Sequence, residues 1–225
     1  MEPIRFNSDD GLSLEGELRR PEVGARGTAV LCHAHPRHGG SKDHPVLWAV
    51  RNELAARGFA VLAFNFRGTM RSDGTFGGGR PEERDVAGAV TRVREESDGP
   101  TIVCGWSFGA TVALREALDD ERVAGLALIG YPLRRELELP DAPTVSELRT
   151  LRRPVLLLSG ELDDYCPADE LAAFGRRFLR AEVALVPGTN HHLWRREREA
   201  AAIVGSFADR VAGAARPGPA DPQSP

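Results

Sequence analysis

The pentapeptide Gly105-Trp106-Ser107-Phe108-Gly109 lies between a short apolar run, Thr101-Ile102-Val103-Cys104, and a segment of helical character, Ala110-Thr111-Val112-Ala113-Leu114-Arg115-Glu116-Ala117-Leu118. This is the pattern G-x-S-x-G between a strand and a helix. Such a turn forces its serine into a strained backbone conformation, and neighbours without a Cβ let the strand and the helix approach closely. The serine oxygen is then pushed out at the end of the sheet. The helix behind it offers unpaired N–H groups and the positive end of a dipole. A Gly/Ser turn with no chemical role can show the same five residues, so the rest of the chain has to supply the partners.

Outward from this turn, apolar runs alternate with helical patterns. Residues 12–20 alternate apolar and polar side chains and read as an early edge strand. Strands are expected at 28–32, 59–66, 101–106, 123–130, 155–160 and 182–186. Helices are expected at 45–57 with Gly58 as the stop, at 81–96, at 168–179 and, closing the chain, at 193–211. Repeated strand–helix units imply an α/β fold with a mostly parallel, doubly wound sheet and helices on both faces. Ligands in such sheets bind beyond the carboxyl ends of the strands. Residues 1–213 are expected to form one domain, and the Pro- and Gly-rich tail 214–225 to be disordered.

Composition narrows the classes of function. The net charge is −4 and acidic and basic residues are interspersed, which argues against a nucleic-acid or membrane partner. The arginines at 134–135 and 195–198 have glutamates among them, as on a solvated helix face. No apolar run has the length of a membrane span, and the first residues do not have the pattern of a secretory signal. Cys32 and Cys104 fall inside apolar runs, Cys166 falls in a loop, and no Cys-x-x-Cys pair exists. Free thiols and a cytoplasmic location are expected.

A serine hydroxyl is a weak nucleophile at neutral pH and needs a general base, which in turn needs an orienting carboxylate. The histidines after Ser107 are His191 and His192, in Pro187-Gly188-Thr189-Asn190-His191-His192, just beyond the last expected strand. The acid should follow the preceding strand, where Gly160-Glu161-Leu162-Asp163-Asp164-Tyr165-Cys166-Pro167 offers adjacent aspartates. The order serine, acid, histidine is that of the strand–turn–helix hydrolases. An oxyanion hole needs two backbone N–H groups. One is that of Phe108, and the other should come from the loop His33-Ala34-His35-Pro36-Arg37-His38-Gly39-Gly40. The histidines of this loop, with His44 nearby, invite a metal reading. No cysteine ligand lies near and a serine–acid–histidine set leaves a metal no task, so neither metal nor other cofactor is expected.

Taken together these stretches, with Phe64-Asn65-Phe66-Arg67-Gly68, resemble the small α/β-hydrolases, close to the compact bacterial enzymes related to the dienelactone hydrolases. The resemblance covers nearly the whole chain apart from the tail. It implies Ser107 as nucleophile, Asp163 as the acid, His191 as the base and the N–H of His35 as the second oxyanion donor. It also implies that 65–68 braces the first loop. The chain departs from the family in carrying Ala34 where proline is commoner, which leaves a backbone donor unaffected. Dienelactone hydrolases use a cysteine nucleophile; the nucleophile position here is serine, and Cys104, inside a strand, cannot replace it.

The connection 131–153 is too short for a lid domain, so an open, water-accessible site is expected. This points to hydrolysis of small soluble carboxylic esters through an acyl-enzyme. Thioester hydrolysis, acyl transfer or a cyclisation on the same residues is the alternative, and a hydrolase-fold binding module a third. Phe108, Tyr131, Tyr165 and Trp194 are candidates for pocket walls as much as for core; Trp106 is assigned to the core.

Overall fold

The computed structural model describes residues 1–134 and 138–214. The expected disorder of the tail concerns residues that, but for 214, lie outside this range. Among the described residues eight strands form one sheet: β1 (Glu2–Asn7), β2 (Ser13–Arg19), β3 (Gly27–Cys32), β4 (Phe59–Phe64), β5 (Thr101–Trp106), β6 (Val123–Ile129), β7 (Val155–Gly160) and β8 (Ala181–Val186). Their order is β1-β2-β4-β3-β5-β6-β7-β8. The β1–β2 and β2–β4 pairs are antiparallel and all others are parallel. Strands β3, β4, β5 and β7 are buried along their whole length, as parallel strands covered on both faces must be.

Helices α1 (Pro45–Ala56) and α6 (Glu197–Ala214) cover one face, where Leu47, Val50, Leu54, Val204 and Phe207 join one apolar cluster. Helices α2 (Glu82–Val93), α3 (Phe108–Asp119), α4 (Val145–Thr150) and α5 (Ala168–Gly175) contribute to the cluster on the other face through Val86, Val112, Leu148 and Leu171. This is the doubly wound α/β architecture. Among the described residues, the connection between β6 and β7 carries α4 alone, closed at its start by a capping box of Thr144 and Glu147.

Several elements differ from the sequence reading, among them the helix expected at 168–179, which ends at Gly175, and the strand expected at 59–66, which ends at Phe64. The strand at 12–20 is not the edge, because β1 lies outside it. Only Phe6 of β1 is buried, its ring edge-on to Phe64 at 5.7 Å, and Glu2, Pro3 and Arg5 hide the alternation that would mark a strand. The segment 81–96 is α2 followed by a 3₁₀ turn over Arg94–Glu96. The closing helix starts at Glu197 rather than 193, because Leu193 and Arg195 adopt φ of 53° and 63°, which no right-handed helix accommodates.

Candidate active site

Ser107 stands between β5 and α3 with φ 55° and ψ −118°, a region that non-glycine residues seldom occupy. Its N–H donates to the carbonyl of Ile129 in β6 at 2.8 Å, which ties the turn to the neighbouring strand. Both glycines of the motif are explained by contact. A Cβ on Gly105 would collide with the carbonyl of Gly109, and one on Gly109 with the carbonyl of Cys32. The serine is 3% exposed and lines a cleft of about 300 Å³ at the carboxyl edge of the sheet.

His191 lines the same cleft, on the loop after β8. Its Nδ1 donates to Oδ2 of Asp163 at 2.8 Å. Asp163 follows β7 and is saturated with donors: Ser159 Oγ reaches Oδ2 at 2.7 Å, and the N–H groups of Tyr165 and Cys166 reach Oδ1 at 2.9 and 3.1 Å. Burial alone would raise the carboxyl pKa, but the bond to His191, the positive charge that ring can carry and the remaining donors outweigh it, and the group is held below the ordinary carboxylate value. An ionised carboxylate only accepts, so the imidazole proton sits on Nδ1 and Nε2 is left as an acceptor. Gly130, at φ 53°, lies against this pair; a Cβ there would come within 3.0 Å of the imidazole Cε1. Trp106 Nε1–H fixes the loop by donating to the carbonyl of His191 at 3.2 Å.

The neighbours of these two residues are placed differently. Asp164 and His192 are exposed, and the backbone N–H of His192 donates to Asn190 Oδ1 at 3.1 Å.

In the first loop, both ring nitrogens of His33 and His35 and one of His44 meet backbone groups. His33 is buried, with Nδ1 donating to the carbonyl of Ala34 at 2.6 Å and Nε2 accepting from the N–H of Phe66 at 3.0 Å. Burial drives its pKa down to about 4. His35 accepts from the N–H of Arg37 at 3.2 Å and donates to the carbonyl of Glu138 at 3.0 Å. His44 caps α1 by accepting from the N–H of Val46 at 3.3 Å. Asn65 Oδ1 accepts from the N–H of Lys42 at 2.8 Å, so 65–66 does brace this loop. Among the described residues no group of three or more His, Cys, Asp or Glu side chains is placed to hold a metal ion. Among the same residues, the N–H groups of His35 and Phe108 have no acceptor from the protein.

Of the aromatic candidates, Tyr165 lines the cleft, and so does one part of the otherwise buried Trp106. Phe108 and Tyr131 belong to the core, Tyr131 stacked on Phe174 at 4.7 Å. Trp194 is 55% exposed. Two supporting residues had no signal in the sequence. Ser159 looks like the end of a buried strand, and His44 like a loop residue, yet one holds Asp163 and the other lies on Trp106 at 3.9 Å. The three cysteines are free and buried.

Known proteins share this architecture. A family profile described as an alpha/beta hydrolase domain matches residues 27–215. An uncharacterized protein of Mycobacterium tuberculosis is 30% identical over 84% of this chain and 72% of its own length. An alpha-beta serine hydrolase homologue from Coxiella burnetii superposes with a TM-score of 0.80 at 25% identity, over 92% of this chain and 96% of that one. A serine hydrolase without a lid from Xanthomonas campestris superposes at 0.78 with 23% identity, over 93% and 94% of the two chains, a likeness of fold.

Proposed function

This chain is a member of the alpha/beta-hydrolase family, and we propose that it is a serine hydrolase that cleaves small soluble carboxylic esters through an acyl-enzyme on Ser107. The observation that carries the proposal is the buried Asp163–His191 pair, 2.8 Å between carboxylate and ring nitrogen, opening onto the cleft that Ser107 lines from its strained turn.

With its proton on Nδ1, His191 has Nε2 available to take the proton of Ser107 as the hydroxyl attacks the ester carbonyl. Asp163 stays ionised and stabilises the imidazolium that results. The N–H groups of His35 and Phe108 receive the oxyanion. The imidazolium then protonates the leaving alcohol. Water entering the open cleft is deprotonated by the same ring and releases the acid, restoring Ser107. No large lid covers the cleft among the described residues, which supports soluble substrates and hydrolysis rather than transfer to an acceptor that must exclude water. Three reduced cysteines suit a reducing compartment, and a cytoplasmic location is part of the proposal.

Turnover of a series of p-nitrophenyl esters of rising acyl length tests the reading. The wild-type protein should hydrolyse the short members, and Ser107→Ala should lower the rate by about 10⁴-fold or more. Equal rates in the two proteins would overturn it.

A further inference from the structure

The imidazole assigned to proton transfer is set in an arc of rings. Tyr165, His192 and Trp106 have their ring centres 5.0, 5.8 and 5.9 Å from that of His191. His44 extends the arc, 3.9 Å from Trp106 and 6.4 Å from both His192 and Trp194. Trp194 completes it, 5.7 Å from His192 and open to solvent. A tryptophan left exposed beside a cleft keeps its ring face available to a ligand.

Position within the reaction tells which part of a substrate meets these rings. The base returns its proton to the leaving oxygen, so the leaving alcohol has to lie beside His191, while the acyl oxygen lies toward His35 and Phe108. Tyr165, His192, Trp106 and His44 group around His191, while His35 and His38, with ring centres 4.7 Å apart, stand on the oxyanion side, where His35 also meets Phe76 and Phe108. Among the described residues, those lining the cleft include no Asp, Glu, Lys or Arg. Arg37, on the same loop, is paired with Glu138 and lies over Phe76. Three of the histidines favour the neutral form: burial drives His44 to about 4, and it also holds His35 and His192 below the ordinary histidine value.

We propose that the cleft selects uncharged esters whose leaving alcohol carries a planar aromatic ring, and that His44 and Trp194 are the residues that set this selectivity. The inference rests on the hydrolase reading above. His44 contributes its ring face beside Trp106. Its Nδ1 is occupied by the N–H of Val46, so its proton is on Nε2, and the ring acts as a neutral flat wall rather than as a base.

Benzyl acetate and cyclohexylmethyl acetate make the test, because they share an acyl group, have similar bulk and have alcohols of similar leaving ability. Active sites are counted in the same samples by labelling with a fluorophosphonate. In the wild-type protein kcat/KM should favour the benzyl ester by about tenfold, the scale of one or two ring–ring contacts. The preference should fall to within about threefold in His44→Asn, mainly through KM. Asparagine is a strong helix cap, so α1 keeps its start while the ring is lost. Trp194→Ala removes an exposed ring and should lower the preference without affecting folding, which thermal unfolding of both variants checks. A 4-carboxybenzyl ester, which finds no Lys or Arg among the described residues lining the cleft, should be on the order of tenfold poorer than benzyl acetate.

Equal efficiency toward the two parent esters in a fully labelled wild-type protein would overturn the selectivity and leave the hydrolase reading standing. Retention of the full preference in both variants would overturn the roles of His44 and Trp194. A preference for the carboxylated ester would overturn the neutral-substrate assignment. Neither labelling nor turnover would overturn the hydrolase reading and this inference together.

Discussion

Two loops at the carboxyl edge of one sheet carry all six histidines of this chain, and they hold them differently. In the loop after β3, the rings of His33, His35 and His44 meet backbone N–H and carbonyl groups. In the loop after β8, the ring of His191 meets a buried carboxylate. A backbone N–H aimed at a ring nitrogen needs that nitrogen unprotonated, so it favours the neutral ring and gives a rigid strut. A carboxylate stabilises the ring when it gains a second proton, so it allows the ring to shuttle one. Counting histidines near an active site therefore says little. The chemical identity of the group behind each ring says which one can do acid–base work.

The contrast can be broken by substitution. The largest effects should come from Ser107→Ala and His191→Ala, each lowering kcat/KM for a short ester by about 10⁴-fold or more, with melting temperature nearly unchanged. A comparable loss from His33→Gln at full folding would erase the distinction between the loops. Next is the aspartate pair. Asp163→Asn should cost about 10⁴-fold, because an amide offers the ring a donor where it needs an acceptor and cannot stabilise the imidazolium. Asp164→Asn, on an exposed residue without these contacts, should stay within about twofold of wild type. Reversed ranks in steady-state kinetics would move the acid to Asp164.

His33 should report through stability instead. Its pKa is near 4 in the folded chain against an ordinary 6.5, so between these values the unfolded chain binds the extra proton. Its contribution is present above pH 6.5 and is lost as pH falls toward 4, by roughly 3 kcal/mol in all. Urea unfolding at a series of pH values should show a shallower acid-side loss in His33→Gln than in wild type; identical slopes would count against the buried neutral ring. The smallest effect should come from His192→Ala, a fall in kcat/KM of less than about tenfold, because that ring borders the cleft without a carboxylate behind it. A fall as deep as that of His191→Ala would shift the base by one residue.

Much of this was legible in the chain. Apolar runs marked six strands of the parallel part of the sheet, and alternation marked β2, whose two faces differ in burial. The residues expected to act together, Ser107, Asp163 and His191, each follow a run that becomes a strand, and the carboxyl ends of parallel strands share an edge. What could not be read depends on three-dimensional contact. β1 is a strand because Phe6 meets Phe64, not because its own residues alternate. The late start of α6 follows from positive φ at Leu193 and Arg195, residues with no special preference for it. Asp163 and Asp164 are chemically identical, and the difference between them, one buried and one exposed, arises from the turn that Ser159 and the N–H groups of Tyr165 and Cys166 close around the first.

The central claim is that Ser107, His191 and Asp163 form one reactive unit. Intact-protein and peptide mass spectrometry after brief exposure to a fluorophosphonate addresses it most directly. The account predicts a single adduct on the peptide containing Ser107, formed quickly in wild type and in Asp164→Asn, slowed by about 10³-fold or more in His191→Ala and Asp163→Asn, and absent in Ser107→Ala. An adduct on another residue, or labelling of Ser107 at the wild-type rate without His191, would contradict it.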